Sequence, residues 1–513
     1  MYGKDIDALK SENMNIADEI YILDTTLRDG EQTPGVGLTV DEKIQIAVKL
    51  DKLGVDKIEA GFPAASPGDF QATKEIKSLD LNSTIVGLSR CLKNDIDKVL
   101  DANLDYMHLF IGTSPLHRDY KLKMSKEMII QKAVDSIEYA SSHGLQVEFS
   151  AEDATRTEKD YLFDVYSSVI DAGVDFIDVP DTVGVLTPVI TKEIITDLKN
   201  SFKTPLSVHF HNDFGLATAN TLTAIECGAN QAHVTVNGIG ERTGNASLEE
   251  IIVTLKVAYD IDLGMDTSRL YSLSDFVGRL TGVKMPVNKP IVGDNAFAHE
   301  SGIHVHGILN NALTYEAIPP ELVGHSRRIV LGKHTGANAL KSKLKQHHID
   351  LNPDQFEKVF KQIKELGDSG KCITDDDLIA VALTELVAAR ETPIVLKGLG
   401  LSSGASVSPT ATVRLEIDGV EKEAASTGVG PVDAAINAIR ILIQDTTDIE
   451  LEEYNLEAIN GGTDALAEVF VITSDLKGNK STGRSTNVDI VMASILAVLD
   501  SINKLLLIQR TEL

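Results

Sequence analysis

The stretch SVHFHND places His209 and His211 two residues apart. On an extended strand, residues i and i+2 project to the same side, so the two imidazoles converge on one point in space. Two imidazoles, a carboxylate and an amide oxygen suit a borderline divalent ion that keeps open or water-filled positions. The stretch YILDTTLRDGEQTPG (21–35) offers the carboxylate in Asp24, and GERTGNAS offers the amide in Asn245. An ion held there can take the carbonyl and carboxylate oxygens of a 2-oxo acid and act on them as a Lewis acid. For the histidine pair alone, a polar pair satisfied at the strand end is the competing reading. Asp213 and Glu241 are candidates either to orient imidazoles and arginines or to form plain salt bridges.

Arg28, in TLRDGEQTPG, falls close to such a metal. A guanidinium beside a polarised carbonyl stabilises the alkoxide or enolate charge that develops there. Its plainer alternative is a pairing with Asp29 or Glu31 that braces the loop. Glu152, in EFSAEDATRT, is either a catalytic or substrate-orienting carboxylate or the partner of Arg156. HESGIHVHG carries His299, His304 and His306, a residue type suited to proton transfer near neutral pH. A second metal site or three surface positions in a loop are the other readings of that stretch.

These side chains need elements to position them. Between residues 20 and 240, eight β-rich runs, from EIYILDTT to AHVTVNGIG, alternate with segments of helical periodicity such as TVDEKIQIAVKLDKLG. With helical segments between most of the runs, the alternation predicts a parallel sheet, and eight units close most simply into a (β/α)8 TIM barrel. An open doubly wound sheet would call for GxGxxG after the first strand, and none is present. The barrel also explains why the runs end in polar residues, among them Asp24, Glu59, Arg90, Glu152, Thr182, His211 and Asn237. Active sites of such barrels are built on that rim. Closure places strands one, seven and eight together, and with them Asp24 and the histidine pair.

The expected barrel domain is residues 1–288, followed by a helical linker subdomain over 289–390. The Gly/Ser-rich GLGLSSGASVSPT reads as a break that opens an α+β domain over 391–513, built as a repeated β-β-α unit. With no dense polar constellation of its own, this last domain reads as regulatory or dimer-forming.

Composition excludes several classes of function. The 513 residues carry a formal net charge of −28, which repels nucleic acid and anionic membranes. No apolar run is long enough to span a bilayer, and the first twenty residues lack the apolar core of a secretory signal, so a cytoplasmic protein is expected. Cys91, Cys227 and Cys372 lie far apart without CxxC spacing, which argues against disulfides and thiolate zinc.

Three stretches, DTTLRDGEQTPG, VHFHNDFGLATANTLTAIECGA and NGIGERTGNASLEE, resemble the 2-isopropylmalate, homocitrate and citramalate synthase group of acyl-CoA-condensing barrel enzymes. The resemblance covers nearly the whole chain, and IEAGFPAASPGDF (58–70) is similar to the isopropylmalate-forming branch. It implies an acyltransferase that converts the acyl group into alkyl on transfer. The implied reaction is a Claisen-type condensation of acetyl-CoA with 3-methyl-2-oxobutanoate, then thioester hydrolysis, at the first committed step of leucine synthesis. The implied metal ligands are Asp24, His209, His211 and Asn245, holding manganese, magnesium or zinc. Arg28 is implied to polarise the keto oxygen, while Asp29, Gln32, His108, Glu152 and Thr182 line the acceptor site.

The resemblance further implies that His304 reaches the active site from the other subunit of at least a homodimer and assists deprotonation of acetyl-CoA, with Tyr315 as its companion. It implies a terminal domain that binds leucine, GVGPVDAA (428–435) being its most recognisable stretch. Arg90, Arg118 and Arg156 are candidates for the phosphates of acetyl-CoA by charge alone. Pyruvate or 2-oxoglutarate in place of the branched acceptor gives the citramalate and homocitrate alternatives. The related hydroxymethylglutaryl-CoA lyases place a cysteine in the loop that here reads NGIGERTGN, which disfavours bond cleavage. A ligand-sensing protein with an inactive barrel is the non-enzymatic alternative.

Overall fold

The computed structural model describes residues 15–347, 349–368, 373–387, 394–404, 406–458, 467–475 and 479–511; Cys372 lies outside them. Strands β1 (Tyr21–Asp24), β2 (Lys57–Gly61), β3 (Thr84–Arg90), β4 (Tyr106–Gly112), β5 (Gln146–Glu152), β6 (Phe176–Asp181), β7 (Leu206–Phe210) and β8 (Gln231–Val234) pair in parallel in that order. Strand β8 pairs with β1, so the sheet closes into the expected barrel. Helices α1 (Val40–Leu53), α2 (Pro67–Ser78), α3 (Lys93–Asp101), α4 (Lys126–Ser142), α5 (Lys159–Asp171), α6 (Pro188–Ser201), α7 (Ala217–Glu226) and α8 (Leu248–Ala258) alternate with the strands. Helix α1 illustrates the local rules. Thr39 and Glu42 exchange the two bonds of a capping box, and Gly54 ends the helix in the left-handed region at φ 96°. Its Ile46, Leu50 and Leu53 are buried, and each side chain so buried contributes roughly 1.5–3 kcal/mol.

Alternation along the strands sorts the side chains. On β5, Val147, Phe149 and Ala151 join the hydrophobic core, whereas Glu148, Ser150 and Glu152 take the opposite face, toward the lumen. Barrel lumens are usually filled by branched apolar residues. Here one layer is polar: Gln231 Nε2 donates to both Glu148 oxygens at 2.8 and 2.9 Å, and His233 Nε2 lies 2.7 Å from Glu148 Oε1. Tyr106 and Lys57 extend the layer. Glu148, Asp178 and His233 could geometrically enclose an ion. The bonds already on Glu148 make this layer a floor beneath the site rather than a centre of its own.

Past the barrel come α9 (Leu270–Thr281), the short strands β9 (Ala298–His299) and β10 (Arg328–Ile329), and helices α10 (Gly302–Asn310), α11 (Ala337–Gln346), α12 (Pro353–Asp368) and α13 (Asp375–Val387). The chain forms two compact units. One holds the chain up to Ala298 with Ala312–Arg328, and the other holds His299–Asn311 and the chain from Ile329. These do not follow the three expected spans one for one. Within the second unit, however, the helices around Leu340, Val359 and Ile363 keep a hydrophobic cluster separate from that of the terminal sheets.

The terminal repeat has one strand more per copy than the expected β-β-α. Strands β11 (Ile394–Gly404), β12 (Val407–Ile417) and β13 (Val420–Thr427) precede α14 (Pro431–Ile443). Strands β14 (Ile449–Ala458), β15 (Ala467–Asp475) and β16 (Lys480–Asn487) precede α15 (Ile490–Thr511). The stretch GLGLSSG, read as a break, belongs to β11, where antiparallel pairing to β12 overrides the poor strand propensity of glycine. Among the described residues no helix is long and apolar enough to cross a membrane.

Candidate active site

A cavity of about 340 Å³ is lined by residues from the C-terminal half of the barrel strands and the loops that follow them. Arg28, Asp29, Gln32, His108, Glu152, Thr182, His209 and His211 all line it. His209 ends the lumen-facing series of β7, and its ring packs edge-on against that of His211 at 5.0 Å. Asp29 lies on the turn after β1, its Oδ2 3.8 Å from His209 Nε2. A backbone bridge between His211 and Asn245 delivers the latter, whose Nδ2 donates to Asp29. The loop can fold back this tightly because residue 240 is glycine; a Cβ there would run into the Asn245 amide.

The carboxylate grouped with the two imidazoles is therefore Asp29, and the expectation for Asp24 is corrected. Asp24 shares the parity of Ile22, which packs in the hydrophobic core, while Leu23 between them takes the opposite face with Val86 and Tyr106. Its Oδ1 accepts the Thr26 amide at 3.0 Å and Oδ2 has no partner. Burial pushes its carboxyl up to about 7, against the Thr26 bonds, with Glu249 and Glu59 adding to the rise.

The donor set fits a divalent ion. His209 Nδ1, His211 Nδ1 and Asn245 Oδ1 are buried without partners. Burial holds the His209 imidazole well below its ordinary range, helped by His211 and Arg28, and burial lowers that of His211 as well. Neutral imidazoles are what ligation requires.

Arg28 is held most closely by Glu59, and of the two loop partners considered above Asp29 also pairs with it while Glu31 does not. Its Nε donates to Glu59 Oε2 at 2.6 Å, and its terminal nitrogen lies 3.4 Å from Asp29 Oδ1. Glu31 instead pairs with Lys43 at 2.5 Å and accepts the Leu38 amide, which fixes the loop. Beyond Glu59 the chain of bonds continues. His108 Nδ1 is 2.7 Å from Glu59 Oε1, its Nε2 is 2.6 Å from Ser150 Oγ, and Ser150 donates to Asp178. Burial alone would raise the Glu59 carboxyl, but Arg28 and His108 hold it down at about 2.

At the rim, Thr182 Oγ1 accepts the Asp153 amide and its carbonyl accepts from Arg242. Asp213 forks onto Arg242 at 2.8 Å to each oxygen, an ion pair with which both readings considered for it are compatible. Arg90, Arg118 and Arg156 are each forked onto a carboxylate, Asp95, Glu158 and Asp153 respectively. The cavity's rim cations are instead Lys121 and Arg242, which sequence reasoning missed. Lys121 pairs with Glu152, so Arg156 is not the partner of that carboxylate. His304 lies exposed on α10 in the second unit and Tyr315 is 47% exposed; neither is among the residues lining the cavity. Also missed were Glu59, Ser150 and Asp178 as a connected set. For Glu59 and Ser150 the signal is the two-residue spacing of polar side chains in KIE and EFSAE; Asp178, between Phe176 and Pro180 on its face, carries no such spacing.

Residues 19–277 match the family model described as HMGL-like. Residues 291–371 match one described as homocitrate synthase post-HMGL domain-like, and 372–506 one described as LeuA allosteric (dimerisation) domain. The chain is 53% identical over 514 residues to a 2-isopropylmalate synthase of Methanocaldococcus jannaschii, covering 99% of both chains. It is 54% identical over 491 residues to a probable 2-isopropylmalate synthase of Methanopyrus kandleri, covering 95% of this chain and 98% of the relative. An (R)-citramalate synthase of Methanocaldococcus jannaschii is 48% identical over 490 residues, covering 95% of this chain and 99% of the relative.

Proposed function

This chain belongs to the HMGL-like family and is an acyltransferase of the 2-isopropylmalate, homocitrate and citramalate synthase group; on that premise we propose that it is a 2-isopropylmalate synthase. It condenses acetyl-CoA with 3-methyl-2-oxobutanoate and hydrolyses the thioester, giving 2-isopropylmalate and free CoA in leucine synthesis. The observation that carries this reading is the convergence of Asp29, His209 and His211 beside Arg28 in a cavity whose apolar lining is Leu88, Phe110 and Pro180. Those three side chains suit the branched end of the acceptor. A second carboxylate, as in 2-oxoglutarate, would meet no free cation there: Arg28, Lys121 and Arg242 each hold a carboxylate already.

Asp29, His209, His211 and Asn245 would hold a divalent ion, manganese, magnesium or zinc, which supplies Lewis-acid polarisation of the acceptor's oxygens. Arg28, locked by Glu59, donates to the keto oxygen as charge develops on it. Gln32, His108 and Thr182 orient the acceptor's polar groups, and Asp29 contacts it as well as the ion. Glu152 accepts the proton lost by the acetyl methyl group, assisted by His304 and Tyr315 delivered across a homodimer. The match of residues 372–506 to an allosteric (dimerisation) domain supports both the dimer and feedback inhibition by leucine.

The citramalate-forming relative keeps pyruvate in view as acceptor. Selectivity between acceptors differing by methyl groups is worth about 1–3 kcal/mol per group in an apolar pocket. Steady-state rates with 3-methyl-2-oxobutanoate, pyruvate and 2-oxoglutarate, with and without leucine, test the reading. The branched acid is expected to lead and leucine to slow it; a lead for pyruvate would overturn the assignment. In Leu88→Ala, kcat/KM for the branched acid is expected to fall by roughly 10- to 100-fold, and that for pyruvate by less.

A further inference from the structure

Glu152 ends β5 at the cavity, and the turn that meets it is built to do so. After β4 the chain makes a π-helical turn, His117–Leu122, a geometry that is rare and frequently marks functional sites. Three features fix it. Arg118 donates to the Thr113 carbonyl at 2.7 Å, forks onto Glu158 and lies over the Tyr161 ring. Lys123 ends the turn in the left-handed region at φ 55°. Residue 112, on the end of β4, is glycine, and a Cβ there would lie 2.7 Å from His117 Nδ1. So anchored, the turn brings two residues to one carboxylate. Lys121 Nζ reaches Glu152 Oε1 at 2.6 Å and Oε2 at 2.7 Å, and His117 Nδ1 lies 3.4 Å from Oε2.

We propose that this turn is a clamp on Glu152, in which Lys121 is a positioning residue that fixes the carboxylate and its charge for the proton transfer. The inference rests on the reading of Glu152 as proton acceptor. Burial of Glu152 favours its neutral form, which cannot take a proton. The neighbouring His117 imidazole and the bonds from Lys121 outweigh burial and hold the carboxyl below its ordinary range. Among the other charged groups nearby, Asp153 pairs with Arg156 and also lies 3.8 Å from His117 Nε2, so it faces the clamp through that imidazole. His108 on β4 sits between Glu59 and Ser150, and Asp178 on β6 accepts from Ser150. Lys121 is half exposed, so its replacement leaves the barrel core intact.

The test is the pH dependence of kcat/KM for acetyl-CoA in the intact enzyme and in Lys121→Met, Lys121→Arg and Glu152→Gln. Removing the ammonium raises the Glu152 pKa, so the acidic limb of the Lys121→Met profile is expected to move to higher pH, with Lys121→Arg returning it toward the parent. Glu152→Gln is expected to lose most activity at every pH. If the Lys121→Met limb coincides with the parent's while Glu152→Gln is crippled, the clamp is wrong and the role of Glu152 stands. A Glu152→Gln enzyme with the parent's rate and limb overturns both.

Discussion

Asp29→Asn is expected to lower kcat/KM by about 10³-fold or more and to release bound divalent ion, whereas Asp24→Asn keeps both activity and metal. The magnitude follows from the several kcal/mol a Lewis-acid ion contributes, each 1.4 kcal/mol being about tenfold. The contrast follows from strand parity. Asp29 shares its group with His209 and His211, while Asp24 follows Ile22 toward the hydrophobic core. Metal content after dialysis, alongside steady-state rates, separates the two aspartates.

Asp24→Asn carries a second signature. Burial raises the folded-state carboxyl to about 7, above its unfolded value, so folding favours its neutral form. That stabilisation is complete below the unfolded carboxylate range and is lost as pH rises through about 7. An amide cannot ionise. The melting temperature of Asp24→Asn should therefore fall less than the parent's as pH rises from the ordinary carboxylate range to about 7.

Arg28→Lys is expected to lower kcat by about 10²–10³-fold, the range seen when one preorganised donor to a developing oxyanion is removed. Lysine keeps the charge, but a point ammonium cannot bond Glu59 through Nε at 2.6 Å and also present a flat edge toward Asp29 and the substrate. Arg28→Met should in addition destabilise the fold, since it leaves Glu59, fully buried, with His108 as its remaining partner. Breaking a buried pair in this way costs about 3–5 kcal/mol. Chemical denaturation of the two variants, beside their rates, distinguishes lost catalysis from lost stability. A lysine variant with the parent's kcat would remove Arg28 from the proposed mechanism.

The barrel was legible in the sequence because each strand alternates with a helix of clear period, and strand-end polarity pointed to the rim. The histidine pair was legible because a two-residue spacing means one face on any strand. The same rule applied to β1 would have separated Asp24 from the lumen, as Leu23 is the lumen-facing residue there. Asp29 had to come from the turn beyond the strand, where no periodicity applies. Lys121 and Arg242 were invisible for a related reason. They sit on turns whose π-helical and positive-φ geometry has no simple residue signature, and their partners, Glu152 at the end of β5 and Asp213 on the loop after β7, are distant in sequence. In the terminal domain, β11 was hidden by glycines and serines that pairing with β12 holds extended.

The central claim is that this cavity carries out an acceptor-dependent, metal-assisted condensation. The most direct measurement is the rate at which free thiol is released from acetyl-CoA by the intact protein, with and without 3-methyl-2-oxobutanoate, before and after chelation and readdition of divalent ion. The prediction is release that requires both acceptor and ion and returns when the ion is restored. Thiol release indifferent to the acceptor, or acceptor-dependent release untouched by chelation, would contradict it.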